Sequence, residues 1–338
     1  MSTHDVPNIY HVPLMLQKQG LCEILGVDCS ATNLLEEWRA MANHLDTLTE
    51  EVHIAMVGKY TDLSDAYLSV IKSLQHAAMA VDRKLVIDWI EASHLEHGWD
   101  SDEHTAAWTM LKAADGVLVP GGFGDRGIEG KILAAQHART NKVPYLGICL
   151  GLQIATIEFC RNVLGMEGAN STEFEDNPEH AAVVFMPEIS KTHLGGTMRL
   201  GSRPTLWQHE GSTIRELYGP GDAVDERHRH RYEVNPDLIH SIESEGLVFV
   251  GKDESGQRCE TSSSTTTRTT SAFSSTRNSN PVRAGPALHF WGCSRQPQVN
   301  STAEPTPVGS NHDRLGPQRV KLQSTPDKYE AWAFHPGL

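Results

Sequence analysis

The sequence has no run of about 20 consecutive apolar residues, the length a helix needs to cross a bilayer, so we expect no membrane span and no membrane partner. Positive charge is scarce: 29 Lys and Arg face 43 Asp and Glu, and the net charge of −14 makes a nucleic-acid partner unexpected. The polar start, Met1–Asp5, has no signal-peptide pattern. The six cysteines include no Cys-x-x-Cys pair. Scattered cysteines without that pattern predict a reducing, cytoplasmic setting.

The last quarter of the chain lacks the residues from which a core is built. Residues 259–338 contain no Ile and no Met, and 14 of the residues 261–280 are Ser or Thr. Such a composition buries too little apolar surface to offset the entropy of ordering, so we predict a disordered tail over 259–338. The rest divides into a connecting segment, residues 1–50, and a main domain, residues 51–258.

The main domain alternates between short apolar runs and helical patterns. Such alternation predicts an α/β fold with a doubly wound, mostly parallel sheet flanked by helices. The predicted strands are Val52–Val57, Lys84–Ile90, Gly116–Val119 and Val143–Ile148, and the predicted helices between them are Asp65–Ala80, Thr105–Ala113 and Ile128–Arg139. In such sheets the functional groups lie at the carboxyl ends of the strands, so we expect the site in the loops that follow them.

The strand that ends at Ile148 is followed by Gly147-x-Cys149-x-Gly151 and then by a helical pattern. This is the spacing of a nucleophile elbow with cysteine in the place of serine. A tight strand-to-helix turn exposes the nucleophile, and the flanking glycines remove side chains that would clash there. We expect the helix N-terminus to lower the pKa of the thiol. The alternative from the residues alone is a buried structural cysteine between two turn glycines.

The loop Gly121–Gly127 follows the preceding strand, and its adjacent glycines leave backbone N–H groups able to converge on one spot, as an oxyanion hole requires. From Gly122 the loop also fits the dinucleotide spacing Gly-x-Gly-x-x-Gly, but the next strand ends at Cys149 instead of at an acidic residue. Gly130-Lys131 hints at a phosphate loop, yet Ile132 stands where Ser or Thr is required. Both nucleotide interpretations are weak.

Five blocks in order carry a resemblance: Pro120–Lys131, Pro144–Gln153, Ala169–Phe174, Leu194–Gly201 and Glu226–Pro236. Over about residues 5–258 the chain resembles the class I glutamine amidotransferase domain of the CTP synthases, a flavodoxin-like fold. The first two blocks are typical of class I amidotransferases in general. The last three resemble the CTP synthases in particular.

The resemblance implies a role for each matching position. Cys149 is the nucleophile, and Gly122 with the N–H after Cys149 forms the oxyanion hole. Glu173 helps to hold glutamine, and Arg231 binds its α-carboxylate, for which a planar guanidinium is well suited. The remaining positions that match the glutamine pocket are Leu150, Gly151, Leu152 and Gln153.

From the residues alone, Glu173 and the segment that contains Arg231 each allow another interpretation. Glu173, in a turn-rich stretch, is better explained on that basis as a solvated carboxylate. Glu226–Glu233 alternates and is typical of a strand with two distinct faces. Its two histidines suggest a metal, but the three neighbouring arginines disfavour a cation, and we therefore predict no metal.

The resemblance also implies what lies outside this chain. Residues 1–50 resemble the end of a synthetase domain followed by a linker helix, Leu34–Leu48, so we expect the ATP and UTP sites with their Mg²⁺ elsewhere and no cofactor here. The family makes CTP from UTP with ATP and glutamine-derived ammonia, as a ligase of pyrimidine biosynthesis. The resemblance also implies a family that responds to GTP and assembles as homotetramers; the sequence itself does not decide either property for this chain.

The resemblance ends near Arg258, before the family's Phe-His-Pro-Glu segment, whose histidine is the general base. Back-translating Gln-Phe-His-Pro-Glu-Phe-Lys-Ser-Arg-Pro and reading one base later gives Ser-Ser-Thr-Arg-Asn-Ser-Asn-Pro-Val-Arg, which is residues 274–283. We therefore interpret the tail as frameshifted and the domain as truncated at its C-terminal side. The codon of the base then overlaps those of Ser275 and Thr276, and Phe334-His335-Pro336 is a coincidence.

Without its base, the chain is predicted to be inactive as written. Two other functions stay open: a silent module that binds glutamine or a CTP synthase, and another elbow-cysteine hydrolase of similar fold.

Overall fold

A computed structural model of the chain describes residues 8–18, 20, 24, 26, 34–59, 61, 64–96, 101–187, 198–264 and 270–273. The first half of the fourth resemblance block and residues 274–338 lie outside these ranges. Within them, every helix is too short or too polar to cross a membrane.

Helices and strands alternate through the first half of the described chain, as the hydrophobic pattern predicts. The helices are α1 (Val12–Lys18), α2 (Leu34–Thr47), α3 (Leu68–Ala80), α4 (Asp102–Ala113), α5 (Ile128–Asn141), α6 (Leu150–Asn162), α7 (Thr213–Tyr218) and α8 (Ile239–Ser244). The strands are β1 (Glu51–Gly58), β2 (Lys84–Glu91), β3 (Gly116–Val119), β4 (Tyr145–Ile148), β5 (Ala169–Ser171), β6 (His180–Phe185), β7 (Arg199–Trp207), β8 (Ala223–His230), β9 (Tyr232–Val234), β10 (Leu247–Lys252), β11 (Cys259–Ser264) and β12 (Thr270–Phe273).

Nine of these strands form one sheet in the order β2-β1-β3-β4-β12-β11-β10-β7-β8. The strands from β2 to β12 pair in parallel, and those from β12 to β8 pair antiparallel. A smaller sheet has the order β5-β6-β9. The predicted α/β fold is confirmed, with a parallel half that holds the predicted strands and an antiparallel half beyond it.

Strand β1 shows why both faces of the parallel half are covered. Its residues alternate between two cores: Ala55 and Val57 pack with buried residues of α4, α5 and α6, whereas Ile54 and Met56 pack with residues of α3 and α7. Successive side chains of a strand point to opposite faces, so an apolar strand of this kind needs helices on both sides.

The sheet continues past Arg258, where the tail is predicted to begin. Strand β11 pairs antiparallel with β10, and β12 lies between β11 and β4. Cys259, Thr261 and Ser262 are at most 1% exposed. The predicted tail therefore starts too early, and the sheet is not open on its C-terminal side. Ser and Thr fit a pleated strand when the flanking strands supply the apolar contacts, which composition alone does not reveal.

The predicted strand Glu226–Glu233 is broken in the structure. Strand β8 ends at His230 in the large sheet, and β9 begins at Tyr232 in the small one. Arg231 lies at the break, where its carbonyl accepts a hydrogen bond from the backbone N–H of Met186 at 3.0 Å. Alternation of residue types continues across the break, so it could not indicate that the chain changes sheets.

Candidate active site

Cys149 stands at the turn between β4 and α6, as the elbow spacing predicts. Its backbone has φ 54° and ψ −103°, outside the regions that a non-glycine residue ordinarily occupies, and it directly precedes the helix. Strained backbone of this kind persists only where the surrounding structure holds it, and it concentrates at functional sites.

The two glycines of the elbow are required by packing. A Cβ at Gly147 would lie 2.4 Å from the carbonyl carbon and oxygen of Gly151, and a Cβ at Gly151 would lie 2.2 Å from the carbonyl oxygen of Val119. Both separations are far below van der Waals contact, and the opposing atoms belong to backbone that cannot swing aside. The turn can therefore close only with glycine at both positions.

We expect Gly151→Ala to destabilise the fold by about 3 kcal/mol, because the new methyl group overpacks against the backbone of β3. Chemical unfolding in urea measures this change. Gly122→Ala is the matched control, since a Cβ there would meet Leu150 Cδ2 at an ordinary 3.8 Å. Equal losses of stability in the two variants would contradict this assignment.

The thiol of Cys149 is buried, and its Sγ lies 3.9 Å from the carbonyl oxygen of Arg229 on β8. Burial raises its pKa to about 12; the backbone N–H of Leu150 acts in the opposite direction, while Glu173 and Glu233 add to the rise. The prediction of a lowered pKa was therefore wrong. The N–H of Leu150 at the helix start does favour the thiolate, but loss of hydration outweighs it.

The loop Gly121–Gly127 approaches the elbow from β3. The ammonium of Lys59 holds the loop by donating hydrogen bonds to the carbonyls of Phe123, at 3.0 Å, and Gly124, at 2.8 Å. Gly122 lies against Leu150, so the two residues predicted to supply oxyanion donors are neighbours. The guanidinium of Arg229 lies 5.7 Å from the ring centre of Phe123, which joins this loop to β8.

Gly130, which hinted at a phosphate loop, has a packing role instead. A Cβ there would lie 1.8 Å from the carbonyl oxygen of Ala92, so this glycine lets α5 approach the backbone after β2. Lys131, the next residue, is 2% exposed within α5. The phosphate-loop interpretation is therefore not needed to explain either residue.

Glu173 interacts electrostatically with the thiol of Cys149 and with Arg231. Burial raises the pKa of Glu173, and the positive charges of Lys59 and Arg231 lower it. Arg231 Nε is buried and has no hydrogen-bond partner among the described residues. Glu173 is thus a half-buried carboxylate that interacts with both the thiol and Arg231, and Arg231 Nε is an unpaired donor within the described residues.

The four residues after Cys149 lie in the first turn of α6 and are buried. Leu150 and Leu152 are each 2% exposed. The amide Nε2 of Gln153 donates a hydrogen bond to the carbonyl of Tyr232 at 2.9 Å, which fixes the segment that carries Arg231. Gln153 Oε1 has no partner in the described part of the chain.

Lys59 was not predicted as a site residue, although the signal was present. It follows β1 directly, at the same carboxyl edge of the parallel sheet as the loops after β3 and β4. The rule that places functional groups at this edge therefore applied to it as well. Burial and the charge of Arg126 lower the pKa of Lys59.

None of the described residues near Cys149 is suited to act as general base for the thiol. Burial lowers the pKa of His228 to about 2 and that of His230 to about 3, so neither imidazole is suited to accept a proton at neutral pH. Strand β12 runs parallel to β4, and its last residue, Phe273, pairs with Ile148, the residue before the nucleophile. Ser275 and Thr276, over which the codon of the family's base is predicted to lie, are outside the described residues.

Comparison with known proteins agrees with this geometry. The family model for glutamine amidotransferase class-I matches residues 62–271. The CTP synthase of Dictyostelium discoideum is 53% identical over 284 residues, covering 77% of this chain and 50% of that protein. CTP synthase 1 of Homo sapiens is 49% identical over 266 residues, covering 76% and 45%. The chain spans about half the length of these curated relatives.

A solved structure, the glutaminase domain of Trypanosoma brucei CTPS with bound acivicin, superposes with a TM-score of 0.65 at 34% sequence identity. The match covers 72% of this chain and 93% of that domain. The chain therefore belongs to the class I glutamine amidotransferases, and its main domain is of the type found as the glutaminase domain of CTP synthases.

Proposed function

We propose that the main domain binds glutamine and that Cys149 attacks its side-chain amide. The observation that carries this proposal is the convergence on one elbow of a strained cysteine, the N–H of Leu150, the Gly122 loop, and the oppositely charged Glu173 and Arg231. Free glutamine is a zwitterion. An α-carboxylate suits the unpaired Nε of Arg231, and an α-ammonium suits the carboxylate of Glu173.

The reaction follows from these positions. The sulfur of Cys149 forms a bond to the amide carbon, and the carbonyl oxygen takes up negative charge beside the backbone N–H groups of Leu150 and Gly122. Collapse breaks the C–N bond, ammonia leaves with the proton that the thiol gave up, and a thioester remains. Water then hydrolyses the thioester to glutamate and free thiol.

Removal of the proton from the Cys149 thiol is the step that we expect to limit the rate in this chain. The thiol is protonated at neutral pH because burial raises its pKa to about 12, and no described imidazole near it is basic enough to help. We infer that the pocket binds glutamine while turnover is slow. A silent glutamine-binding module is the limiting case of the same proposal.

The reaction that uses the ammonia is inferred from the similarity to the CTP synthases. We propose that this domain serves a CTP synthase, in which ammonia aminates UTP at the expense of ATP and Mg²⁺ held by a separate synthetase domain. Regulation by GTP, assembly as a homotetramer and a cytoplasmic location are part of this proposal. Resemblance to the CTP synthases supports them.

Protection of Cys149 from alkylation tests the proposal. We expect iodoacetamide to label Cys149 slowly at pH 7 and about tenfold faster for each pH unit up to pH 10, because only the thiolate reacts. Glutamine is expected to slow the labelling, and asparagine, one methylene shorter, is not. Peptide mass spectrometry locates the label and separates Cys149 from the fully buried Cys160.

Two variants make this test specific to the pocket. Arg231→Lys and Glu173→Gln should both weaken the protection by glutamine. Without glutamine, Arg231→Lys should be labelled near the parent rate and Glu173→Gln somewhat faster, because the charge of Glu173 raises the pKa of Cys149. Labelling that glutamine does not change in the parent chain would overturn the proposal and favour another elbow-cysteine hydrolase.

A further inference from the structure

A second cluster of ligand-type side chains lies inside the antiparallel half of the sheet. His228 and His230 project from the buried face of β8, each 3% exposed, and Glu260 of β11 is 2% exposed. His228 Nδ1 lies 2.9 Å from His230 Nε2 and 3.1 Å from Glu260 Oε2. Three atoms that can each coordinate a metal therefore face one another in the interior.

We propose that His228, His230 and Glu260 form a site for a divalent transition-metal ion, with Zn²⁺ as the best match. Ligand atoms at about 2.0–2.1 Å from a tetrahedral zinc ion are separated from one another by about 3.3 Å, close to the spacing found here. Two imidazoles and one carboxylate are a usual zinc donor set. Three protein ligands leave a fourth position for water.

The surroundings of the three ligands suit a bound ion. Glu233 Oε1 lies 3.3 Å from His230 Nδ1, the ring nitrogen other than the Nε2 that faces His228. Arg258 in turn holds Glu233 at 2.7 Å. Arg199 lies 3.0 Å from the other oxygen of the Glu260 carboxylate. Ligands that have charged neighbours of this kind around them are typical of built metal sites.

Hydrogen bonds from the described residues leave the Glu260 carboxylate poorly satisfied. Neither oxygen of Glu260 accepts a hydrogen bond of ordinary geometry from the described residues, although both are buried. Buried carboxylate oxygens without such bonds are costly. A coordinated cation would satisfy the oxygen that faces the two histidines.

The arginines that disfavour a cation in the sequence do not surround this site. Arg227 and Arg229 lie on the exposed face of β8, opposite the histidines, and Arg231 lies beyond the end of the strand. The cations that act on His228 are Arg199, Arg203 and Arg258. The carboxylates of Glu233, Asp253 and Glu260 belong to the same cluster, so carboxylates and arginines are interspersed around the two histidines.

Bound metal would tie β8 to β11, which are not neighbours in the sheet. The cluster lies close to the elbow, because the carbonyl of Arg229, between the two histidines, is 3.9 Å from Cys149 Sγ. We therefore expect the ion to stabilise the strand that covers the thiol.

Zinc binding to the full chain tests the proposal. We expect competition with a chromophoric chelator to reveal one tight Zn²⁺ site that is lost in Glu260→Gln and in His228→Asn. Glu233→Gln should weaken the same site by about 10–100-fold through misorientation of His230. His240→Asn is the control, since His240 is an exposed histidine of α8 and its loss should change nothing.

Cobalt substitution gives a readout that does not depend on stability. Co²⁺ in a site with two imidazoles and one carboxylate should show the intense visible bands of tetrahedral coordination, and Glu260→Gln should remove them while near-ultraviolet circular dichroism stays native. The proposal is overturned if the parent, Glu260→Gln and His240→Asn bind zinc with the same stoichiometry and affinity, or if only weak binding to surface histidines is seen.

Discussion

Restoring the reading frame after Arg258 is expected to raise the rate of glutamine hydrolysis by about 10²–10⁴-fold, the usual contribution of a positioned general acid–base group. The physical reason is the proton of Cys149, which burial holds on the sulfur by raising its pKa to about 12. An imidazole that accepts this proton and passes it to the leaving ammonia lowers the free-energy barrier to proton transfer. Ammonia release coupled to a dehydrogenase assay measures the rate.

The pairing of β12 explains why the effect should be large. Phe273 lies opposite Ile148, so the strand that precedes the predicted codon of the base ends at the level of the nucleophile. In the restored frame the histidine follows this strand within a few residues.

Cys149→Ala in the restored chain is the control and should return the rate to background. Near-equal rates in the present and the restored chain would contradict the hypothesis. His228 or His230 would then have to act as the base despite their lowered pKa values.

Arg139→Met is expected to destabilise the fold by about 3 kcal/mol, because it leaves the carboxylate of Glu158 buried without its cation. Glu158 is 2% exposed and accepts three hydrogen bonds from the guanidinium, at 2.7, 2.8 and 3.1 Å. The pair joins α5 to α6, the helix that begins at the nucleophile. Methionine keeps most of the apolar stem of arginine, so the loss reports on charge. Urea unfolding at neutral pH measures it.

Two further variants separate burial of charge from loss of contact. Arg139→Met combined with Glu158→Leu should recover most of the stability, because the double variant leaves no unpaired charge. Lys84→Met breaks the exposed pair with Glu51, at 3.0 Å, and should have a much smaller effect. Equal losses of unfolding free energy in Arg139→Met and Lys84→Met would contradict the larger contribution that we expect from the buried pair.

The parallel half of the fold could be predicted from the sequence because its signals are local. Each of the strands β1 to β4 is a short apolar run, and the helices between them have their own periodicity. The elbow was predictable for the same reason: Gly147 and Gly151 are close in sequence to Cys149, and the clash that each avoids involves backbone.

The features that could not be predicted depend on contacts between distant segments. The pKa of Cys149 is set by burial beneath β8, 80 residues further along the chain at Arg229, and no local pattern reports that. Glu260 meets His228 only because β11 is part of the same sheet as β8. The polar strands β11 and β12 owe their place to β10 and β4, which provide backbone partners on either side.

The position of β11 and β12 has a consequence for biosynthesis. They fill the middle of the sheet, between β4 and β10, yet they are the last described strands to be made. Until they leave the ribosome, β4 and β10 each present an unpaired edge, and such edges recruit strands from other chains. Nascent or truncated chains that stop before Cys259 should therefore depend on chaperones and aggregate when these are depleted, whereas chains that extend past Phe273 can close the sheet on themselves.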